Sequence, residues 1–192
     1  MNKKTRALSY EQYLKIIETI LTGFVCADGH KVKPNKRIAA VLILEGNLGL
    51  RISDILSLSL SAIVKDGNRY RLDIIEKKTR KKREFTVPIE IYTYIQSYAL
   101  ENHINPKARL FPISTRAVQH HLQLTCEYLG YEKVSTHSFR KYFGTSIYEN
   151  SKYNIELVRI LLQHSSVTTT QRYIGIQSEQ VESALQKHVK LF

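Results

Sequence analysis

Six residues along the chain have the types that phosphoryl-transfer chemistry needs. They are, in order, Arg51, a lysine of the basic run from Lys77 to Arg83, His137, Arg140, His164 and Tyr173. Guanidinium groups can bind the non-bridging oxygens of a phosphate, and fixed positive charge stabilises the transition state of its transfer. A lysine can protonate a leaving oxygen, and a tyrosine can act as a covalent nucleophile. The set as a whole therefore predicts covalent attack on a phosphate ester.

Two short motifs carry the arginines. In Gly49-Leu50-Arg51-Ile52-Ser53-Asp54, Arg51 begins a predicted helix and a carboxylate follows three residues later. Asp54 could orient the guanidinium or a neighbouring group, although an ordinary surface ion pair at this spacing is an equally simple interpretation. In His137-Ser138-Phe139-Arg140 the spacing puts His137 and Arg140 on one helical face, where both could bind one small anion.

The charge balance predicts a polyanionic partner. The 192 residues include 29 Lys and Arg against 17 Asp and Glu, a formal net charge of +12. Nucleic acid is the expected partner, because binding of phosphates by Lys and Arg drives such association. An anionic membrane surface is the alternative, but the sequence has no amphipathic helix with an all-basic polar face.

A dense basic run supplies the lysine. Six of the seven residues from Lys77 to Arg83 are positively charged, and the run lies on a predicted turn. Like charges repel one another, so the run gains from lying along phosphates; a solvated loop is the alternative. The residues expected to bind DNA are Lys77, Arg80, Lys81, Lys82 and Arg83.

The segment from Leu161 to Tyr173 carries the last two candidates. His164 follows an apolar helix, and Tyr173 stands nine residues later on the next helix. A buried tyrosine with a core hydrogen bond is the alternative interpretation.

Several classes of function are disfavoured. No dense carboxylate cluster could hold Mg²⁺, and no Gly-rich phosphate loop is followed by Lys and Ser or Thr. We therefore expect neither a metal nor a cofactor. Two cysteines are too few for a disulfide framework, and the chain shows neither a signal peptide nor a transmembrane stretch. These features predict a cytoplasmic, DNA-associated protein.

Hydrophobic periodicity predicts helices on both sides of a small sheet. Ser9 and Gln12 form a capping box before the first helix, and Pro34-Asn35 opens the second. From Ile63 to Val87 the pattern alternates around Asp66-Gly67-Asn68, which predicts a three-stranded antiparallel meander. Helices then return. We expect one mostly helical α+β domain over residues 1–192.

The motifs together resemble the tyrosine recombinases, or phage integrases. The strongest pieces are Gly49-Leu50-Arg51, His137-Ser138-Phe139-Arg140-Lys141 and Leu161 to Tyr173. The resemblance implies the DNA breaking-rejoining enzyme fold. It also implies a mobile-element recombinase that integrates, excises or inverts DNA through a 3′-phosphotyrosine, without metal or ATP.

The resemblance also implies a role for each residue. Arg51 and Arg140 would bind the scissile phosphate, and His164 would hydrogen-bond one of its oxygens. His137 would accept or donate a proton near the nucleophile, Tyr173. Lys78 would protonate the 5′-hydroxyl leaving group, although its basic neighbours could compete for that role, and Asp54 would support the site.

Two features depart from the family pattern: the residue at position 163 and the length of chain before Arg51. Gln163 stands where the family usually has a Gly, in a position where left-handed backbone would be strained. Only 50 residues precede Arg51, whereas most members carry a separate N-terminal DNA-binding domain. The chain is therefore expected to be either part of a longer protein or similar to the short recombinases that invert promoter segments.

The amphipathic tail around Val181 and Leu185 resembles a helix that docks into a neighbouring protomer in many members. Docking in trans would give a tetramer on DNA; packing in cis is the alternative. Two other functions stay open: a type IB topoisomerase-like enzyme, and a DNA-binding regulator with an inactive recombinase-like domain.

Overall fold

A computed structural model describes residues 5–175, 186, 188 and 189. They form two compact units, the first ending at Phe143 and the second beginning at Gly144. The helices in this part of the chain are α1 (Tyr10–Thr22), α2 (Lys36–Leu48), α3 (Ile52–Ile55), α4 (Ile89–Glu101), α5 (Thr115–Leu129), α6 (Thr136–Asn150), α7 (Ile155–Leu162) and α8 (Val167–Ile174). The strands are β1 (Phe24–Val25), β2 (Lys31–Val32), β3 (Ile63–Asp66), β4 (Arg69–Ile75) and β5 (Lys82–Val87).

Polar caps begin the helices where the sequence predicts them. Ser9 Oγ accepts a hydrogen bond from the Gln12 N–H at 3.2 Å, and Gln12 Oε1 accepts one from the Ser9 N–H at 3.2 Å. This reciprocal pair is the predicted capping box of α1. Asn35 caps α2 through the Ile38 N–H at 3.0 Å. Both predictions are confirmed.

A short hairpin follows α1 and was not predicted. Strands β1 and β2 pair antiparallel, with Phe24 opposite Val32. Gly23 turns the chain from α1 into the hairpin at a φ of +74°, and a Cβ there would lie 2.6 Å from the Val32 carbonyl oxygen. The Asp28-Gly29 turn closes this hairpin.

The predicted three-stranded meander is confirmed. Strand β4 lies in the middle and pairs antiparallel with both β3 and β5. Leu72 is opposite Ile63 on one side and Phe85 on the other. Because β4 ends at Ile75 and β5 begins at Lys82, residues 76–81 form a turn at one end of the sheet. This turn contains most of the basic run.

The core of the first unit fixes the backbone around the first arginine. Leu48 and Leu50 are fully buried, and Ile52 is nearly so. Burying an aliphatic side chain of this size stabilises the fold by about 1.5–3 kcal/mol. Arg51 therefore emerges from a segment whose neighbours on both sides are anchored in the core.

The second unit contains the end of α6, together with α7 and α8. Gly144 of α6 lies close to both neighbouring helices: a Cβ there would be 3.0 Å from Ile174 and 3.2 Å from Leu162. A larger residue would push these helices apart. Asn154 and Ser166 cap α7 and α8. Among the described residues, no helix has both the length and the apolar character needed to cross a membrane.

Candidate active site

Arg51 lies at the N-terminus of α3, in extended backbone just after the left-handed Gly49. Its side chain is 17% exposed, and its Nη1 donates a hydrogen bond to Glu76 Oε2. A guanidinium has five N–H donors, so this bond leaves others directed elsewhere. Arg51 is therefore held by an acid and still reaches the surface.

Glu76 is a site residue that the sequence reasoning missed. Its side chain is fully buried at the end of β4. Besides Arg51, it accepts hydrogen bonds from Thr79 Oγ1 at 2.8 Å and from Arg83 Nη1 at 3.0 Å. Burial alone would raise the pKa of Glu76, but the Thr79 and Arg51 hydrogen bonds and the two arginine charges hold it below its ordinary value. Glu76 is therefore ionised at neutral pH.

Asp54 supports the turn after β4. It is 2% exposed, and its Oδ1 accepts a hydrogen bond from the backbone N–H of Lys77 at 2.9 Å. The turn is closed by the Glu76 N–H, which donates to the Lys81 carbonyl at 3.0 Å, and by Arg80 in left-handed backbone at a φ of +57°. Asp54 thus holds the backbone one residue before Lys78, whose side chain is exposed.

The basic run does not behave as a unit. Lys77, Arg80 and Lys81 are exposed on the turn. Lys82 is also exposed and forms an ion pair with Glu84 at 2.8 Å. Arg83 differs from all of these residues.

Arg83 was predicted to bind DNA with its neighbours, but the structure places it in a different, buried environment. Arg83 is 2% exposed, donates to Glu76, and lies over the ring of Phe85 at 5.1 Å. It shares the inward face of β5 with Phe85 and Val87, because side chains alternate along a strand. Burial lowers the pKa of Arg83 to about 10. Arg83 is therefore an ion-pair partner of the buried Glu76, and its environment differs from that of its exposed neighbours.

Arg140 and His137 lie on the first turns of α6. Arg140 is 2% exposed and donates a hydrogen bond from Nη1 to the Gly49 carbonyl. This bond joins the segment of Arg140 to the segment of Arg51. The predicted helical placement of both residues is confirmed, since α6 covers them.

The electrostatics of His137 show which cations surround it. The residue is exposed, yet desolvation of its ring lowers its pKa from the ordinary value of 6.5. Nearby positive charges lower the pKa further; in order of effect they belong to Arg140, Lys78, Arg51 and Lys141. The first unit therefore brings four of the six predicted catalytic residues into one positively charged neighbourhood.

A second buried acid, Glu45, lies on α2. It is fully buried, and burial raises its pKa well above the ordinary value despite the nearby charge of Arg140. The pKa shift of Glu45 therefore favours its neutral form, whereas the pKa shift of Glu76 favours its charged form.

The second unit brings the remaining two predicted residues together. The rings of His164 and Tyr173 meet edge to face, with centroids 5.0 Å apart. His164 Nδ1 is 3.1 Å from Oγ1 of Thr170, which is fully buried. Gln163 ends α7 in left-handed backbone at a φ of +53°, the conformation anticipated for the position where the family usually has Gly. The tail around Val181 and Leu185 lies outside the described residues.

Comparison with known proteins identifies the family. The sequence profile described as the Phage integrase family matches residues 6–180. The chain belongs to the phage integrase family. The resemblance predicted from the motifs is therefore confirmed, and this integrase-family chain is a tyrosine recombinase catalytic domain with the expected mostly helical α+β fold.

Three similar proteins illustrate this membership. Probable integrase/recombinase YoeC of Bacillus subtilis is 36% identical over 155 residues, covering 78% of this chain and 83% of that protein. Tyrosine recombinase XerC of Bradyrhizobium diazoefficiens is 32% identical over 154 residues, covering 76% of this chain and 47% of that protein. The XerH site-specific recombinase, solved with its difH substrate, aligns at a TM-score of 0.70 and 20% identity, covering 96% of this chain and 53% of that one. The chain thus spans about half the length of XerC and XerH.

Proposed function

We propose that this integrase-family chain cuts and rejoins double-stranded DNA at specific sites through a covalent 3′-phosphotyrosine at Tyr173. The observation that carries the proposal is the positive neighbourhood around His137, where the charges of Arg51, Lys78 and Arg140 all act on one ring. Such a concentration of fixed cations suits a phosphate whose negative charge grows in the transition state. YoeC and XerC are named as recombinases, which supports the same activity.

The proposed reaction conserves the phosphodiester bond energy. The Tyr173 oxygen attacks phosphorus and forms a new P–O bond, while the bond to the 5′ oxygen breaks. Lys78 gives that oxygen its proton. In rejoining, a 5′-hydroxyl attacks the phosphotyrosine and releases Tyr173, so ATP is not required. Arg51, Arg140 and His164 bind the non-bridging oxygens throughout.

His137 suits a role in moving protons near the nucleophile. Since its pKa lies below 6.5, the ring is neutral at physiological pH and can accept the proton that Tyr173 loses.

We propose that both compact units act together as one catalytic domain over residues 1–192.

The exposed part of the basic turn is the proposed phosphate contact. It comprises Lys77, Arg80, Lys81 and Lys82, without the buried Arg83. Each contact to a duplex phosphate contributes about 0.9 to the slope of log affinity against log salt concentration. Replacing Lys81 by Ala should therefore reduce that slope by about one, whereas a base-reading residue would change affinity for one sequence only.

We also propose that the chain self-associates on DNA, as a tetramer joined through the tail around Val181 and Leu185. The support is the amphipathic pattern of that tail in the sequence. Analytical ultracentrifugation of protein with its target duplex, repeated with Leu185→Asp, tests the assembly.

The proposed place of action is the cytoplasm, supported by the DNA partner and by two cysteines that are unpaired in the described structure.

A covalent-trapping gel tests the reaction. Protein is incubated in EDTA with nicked DNA whose cleaved fragment diffuses away, using the ends of the mobile element or a panel of recombinase sites. A denaturation-resistant protein–DNA band is expected with the wild type and with Tyr153→Phe, an exposed control tyrosine. The band should vanish with Tyr173→Phe.

Each other outcome has a defined meaning. A band that persists in Tyr173→Phe contradicts the assignment of the nucleophile. DNA binding without any band favours the inactive regulator. Relaxation of supercoiled plasmid without recombinant products from two-site plasmids favours the topoisomerase-like alternative.

A further inference from the structure

Glu76 is a buried acid beside the proposed site. It is fully buried, yet the local charges keep its carboxylate ionised. Ionised carboxylates are rarely buried unless they are paired and hydrogen-bonded, because leaving water costs several kcal/mol per ion. Here the pairing is with two guanidinium groups, those of Arg51 and Arg83. A buried charge with two such partners has a fixed position.

The three hydrogen bonds to Glu76 come from different parts of the fold. Arg51 begins α3, Thr79 lies in the turn after β4, and Arg83 belongs to β5. One oxygen, Oε2, accepts from both Arg51 and Thr79, whereas Oε1 accepts from Arg83. Through a single atom, Glu76 thus links Arg51 to the residue next to Lys78.

The link has a geometric consequence for Arg51. A guanidinium is planar, so a hydrogen bond from one Nη fixes both the plane and the direction of the remaining N–H donors. The neighbours of Arg51 in the chain, Leu50 and Ile52, are buried and apolar, so their side chains offer its guanidinium no hydrogen bond. Glu76 therefore decides where Arg51 presents its remaining donors.

The link also has an electrostatic consequence. Arg51, Lys78, Arg83 and Arg140 carry like charges in the same neighbourhood, and burial raises the pKa of the Glu45 carboxyl, which disfavours its charged form. Without a counter-charge these groups repel one another most strongly where water is excluded. The carboxylate of Glu76 permits Arg51 and Arg83 to remain close while no phosphate is bound.

We infer that Glu76 is a positioning residue for DNA cleavage, which orients the Arg51 guanidinium and couples it to the turn that carries Lys78. The inference rests on the proposed function. It differs from the role of Asp54, whose Oδ1 accepts a hydrogen bond from the backbone N–H of Lys77. Glu76 acts through Arg51 and does not itself touch the phosphate, from which its charge would be repelled.

The test is a double-substitution cycle. Rates of covalent-complex formation are measured in single turnover at saturating nicked DNA for the wild type, Glu76→Gln, Arg51→Lys and the double variant. Glutamine keeps the shape of Glu76 and removes its charge. The matched control is Glu84→Gln on β5, an exposed acid paired with Lys82 and Arg71.

We expect Glu76→Gln to slow cleavage about ten- to hundredfold while DNA affinity stays within about threefold, because a misdirected catalytic group mainly lowers the rate. In the Arg51→Lys background the same substitution should cost less than about threefold, since lysine has no guanidinium plane to orient. Glu84→Gln should cleave like the wild type. A wild-type rate in Glu76→Gln, or an equal cost in both backgrounds, overturns the inference.

A further double variant and the wild-type control distinguish loss of folding and loss of the proposed function from loss of positioning. If Glu76→Gln unfolds below the assay temperature, Glu76→Gln with Arg83→Met removes the unpaired buried charge, and the same rate loss is expected in that folded protein. A wild-type rate there overturns the inference. If the wild type itself forms no covalent complex, the proposed function fails, which is distinguishable from an active wild type with an unaffected Glu76→Gln.

Discussion

Arg140 donates a hydrogen bond to the backbone carbonyl of Gly49, two residues before Arg51. Arg51 and Arg140, the two arginines proposed to bind the scissile phosphate, are therefore connected through the main chain as well as through the phosphate. Gly49 is in left-handed backbone, and Phe143 of α6 packs directly against it. The conformation of one glycine thus sets the distance between two catalytic candidates.

Replacing Gly49 by Ala should disturb both stability and cleavage. The φ of +58° disfavours any Cβ, and a Cβ there would overlap the Phe143 ring. Backbone strain and overpacking together should lower the free energy of unfolding by about 3 kcal/mol. Displacement of the Gly49 carbonyl should also move Arg140 and reduce covalent-complex formation about tenfold.

The matched control for this prediction is Gly130→Ala. Gly130 ends α5 in the same left-handed conformation at +69°, but has open space around it. It should lose only about 1 kcal/mol in urea unfolding and cleave normally. Equal losses in the two variants would show that backbone strain alone, and not the contact with Phe143, is what matters at Gly49.

Lys78 should be required for expulsion of the 5′ oxygen and dispensable when that oxygen is replaced by sulfur. A thiolate leaves without protonation, so a 5′-bridging phosphorothiolate bypasses a missing general acid. Lys78→Ala should slow cleavage of ordinary DNA about 10²–10⁴-fold and approach the wild-type rate on the sulfur substrate. Lys77→Ala, at the exposed neighbouring position, should show no such rescue, because it should already cleave ordinary DNA at nearly the wild-type rate. Rescue of Lys77→Ala instead would reverse the assignment.

Local sequence signals predicted the elements well because their causes are local. The Ser9 and Gln12 capping box needs only four residues, and the turn at Asp66-Gly67-Asn68 needs only three. The prediction that His137 and Arg140 share one helix was also confirmed, since both lie on α6. The two-residue strands of the Phe24–Val32 hairpin were missed, because so short a strand has no measurable alternation.

The burial of two charged residues, Arg83 and Glu76, was not predicted from the sequence. Arg83 was grouped with the basic run by composition, although Phe85 and Val87 alternate inward on the same strand. Extending that alternation by one step would have placed Arg83 inside. Glu76 offered a weaker signal, a single acid directly before the run. Its partner Arg51 is distant in the sequence, and its partner Arg83 belongs to a basic run that is typical of a solvated loop. Only the fold therefore reveals that the three residues form a cluster.

The lowered pKa of His137 predicts a titration that distinguishes two adjacent lysines. The histidine proton signals followed by NMR, with His137→Gln for assignment, should give a midpoint below 6.5. Lys78→Met should raise that midpoint, because it removes a charge that acts on His137. Lys77→Met, whose charge is not among those that act on this ring, should leave it unchanged. A midpoint at or above 6.5 in the wild type would contradict the predicted environment.

The same shift fixes the sign of a stability effect. Because the folded pKa lies below that of the unfolded chain, the contribution of His137 is complete above pH 6.5. As pH falls below that value, the unfolded chain takes up the proton first and the free energy of unfolding decreases until the folded pKa is passed. His137→Gln should lack this decrease. His103→Gln, at an exposed position, should retain it.

Thr170 should matter for cleavage although it has no proposed contact with DNA. Its buried hydroxyl lies 3.1 Å from His164 Nδ1 and donates to the Ser166 carbonyl at 3.2 Å. A hydrogen bond to one ring nitrogen sets the orientation of a histidine and the protonation of its other nitrogen. Thr170→Val keeps the volume and removes the bond, so His164 should be less well directed and covalent-complex formation should fall about tenfold. Thr168→Val removes an exposed hydroxyl from the same helix and should have no effect on the rate. If both variants cleave at the wild-type rate while their melting temperatures stay within a few degrees, the bond from Thr170 does not position His164 during the reaction.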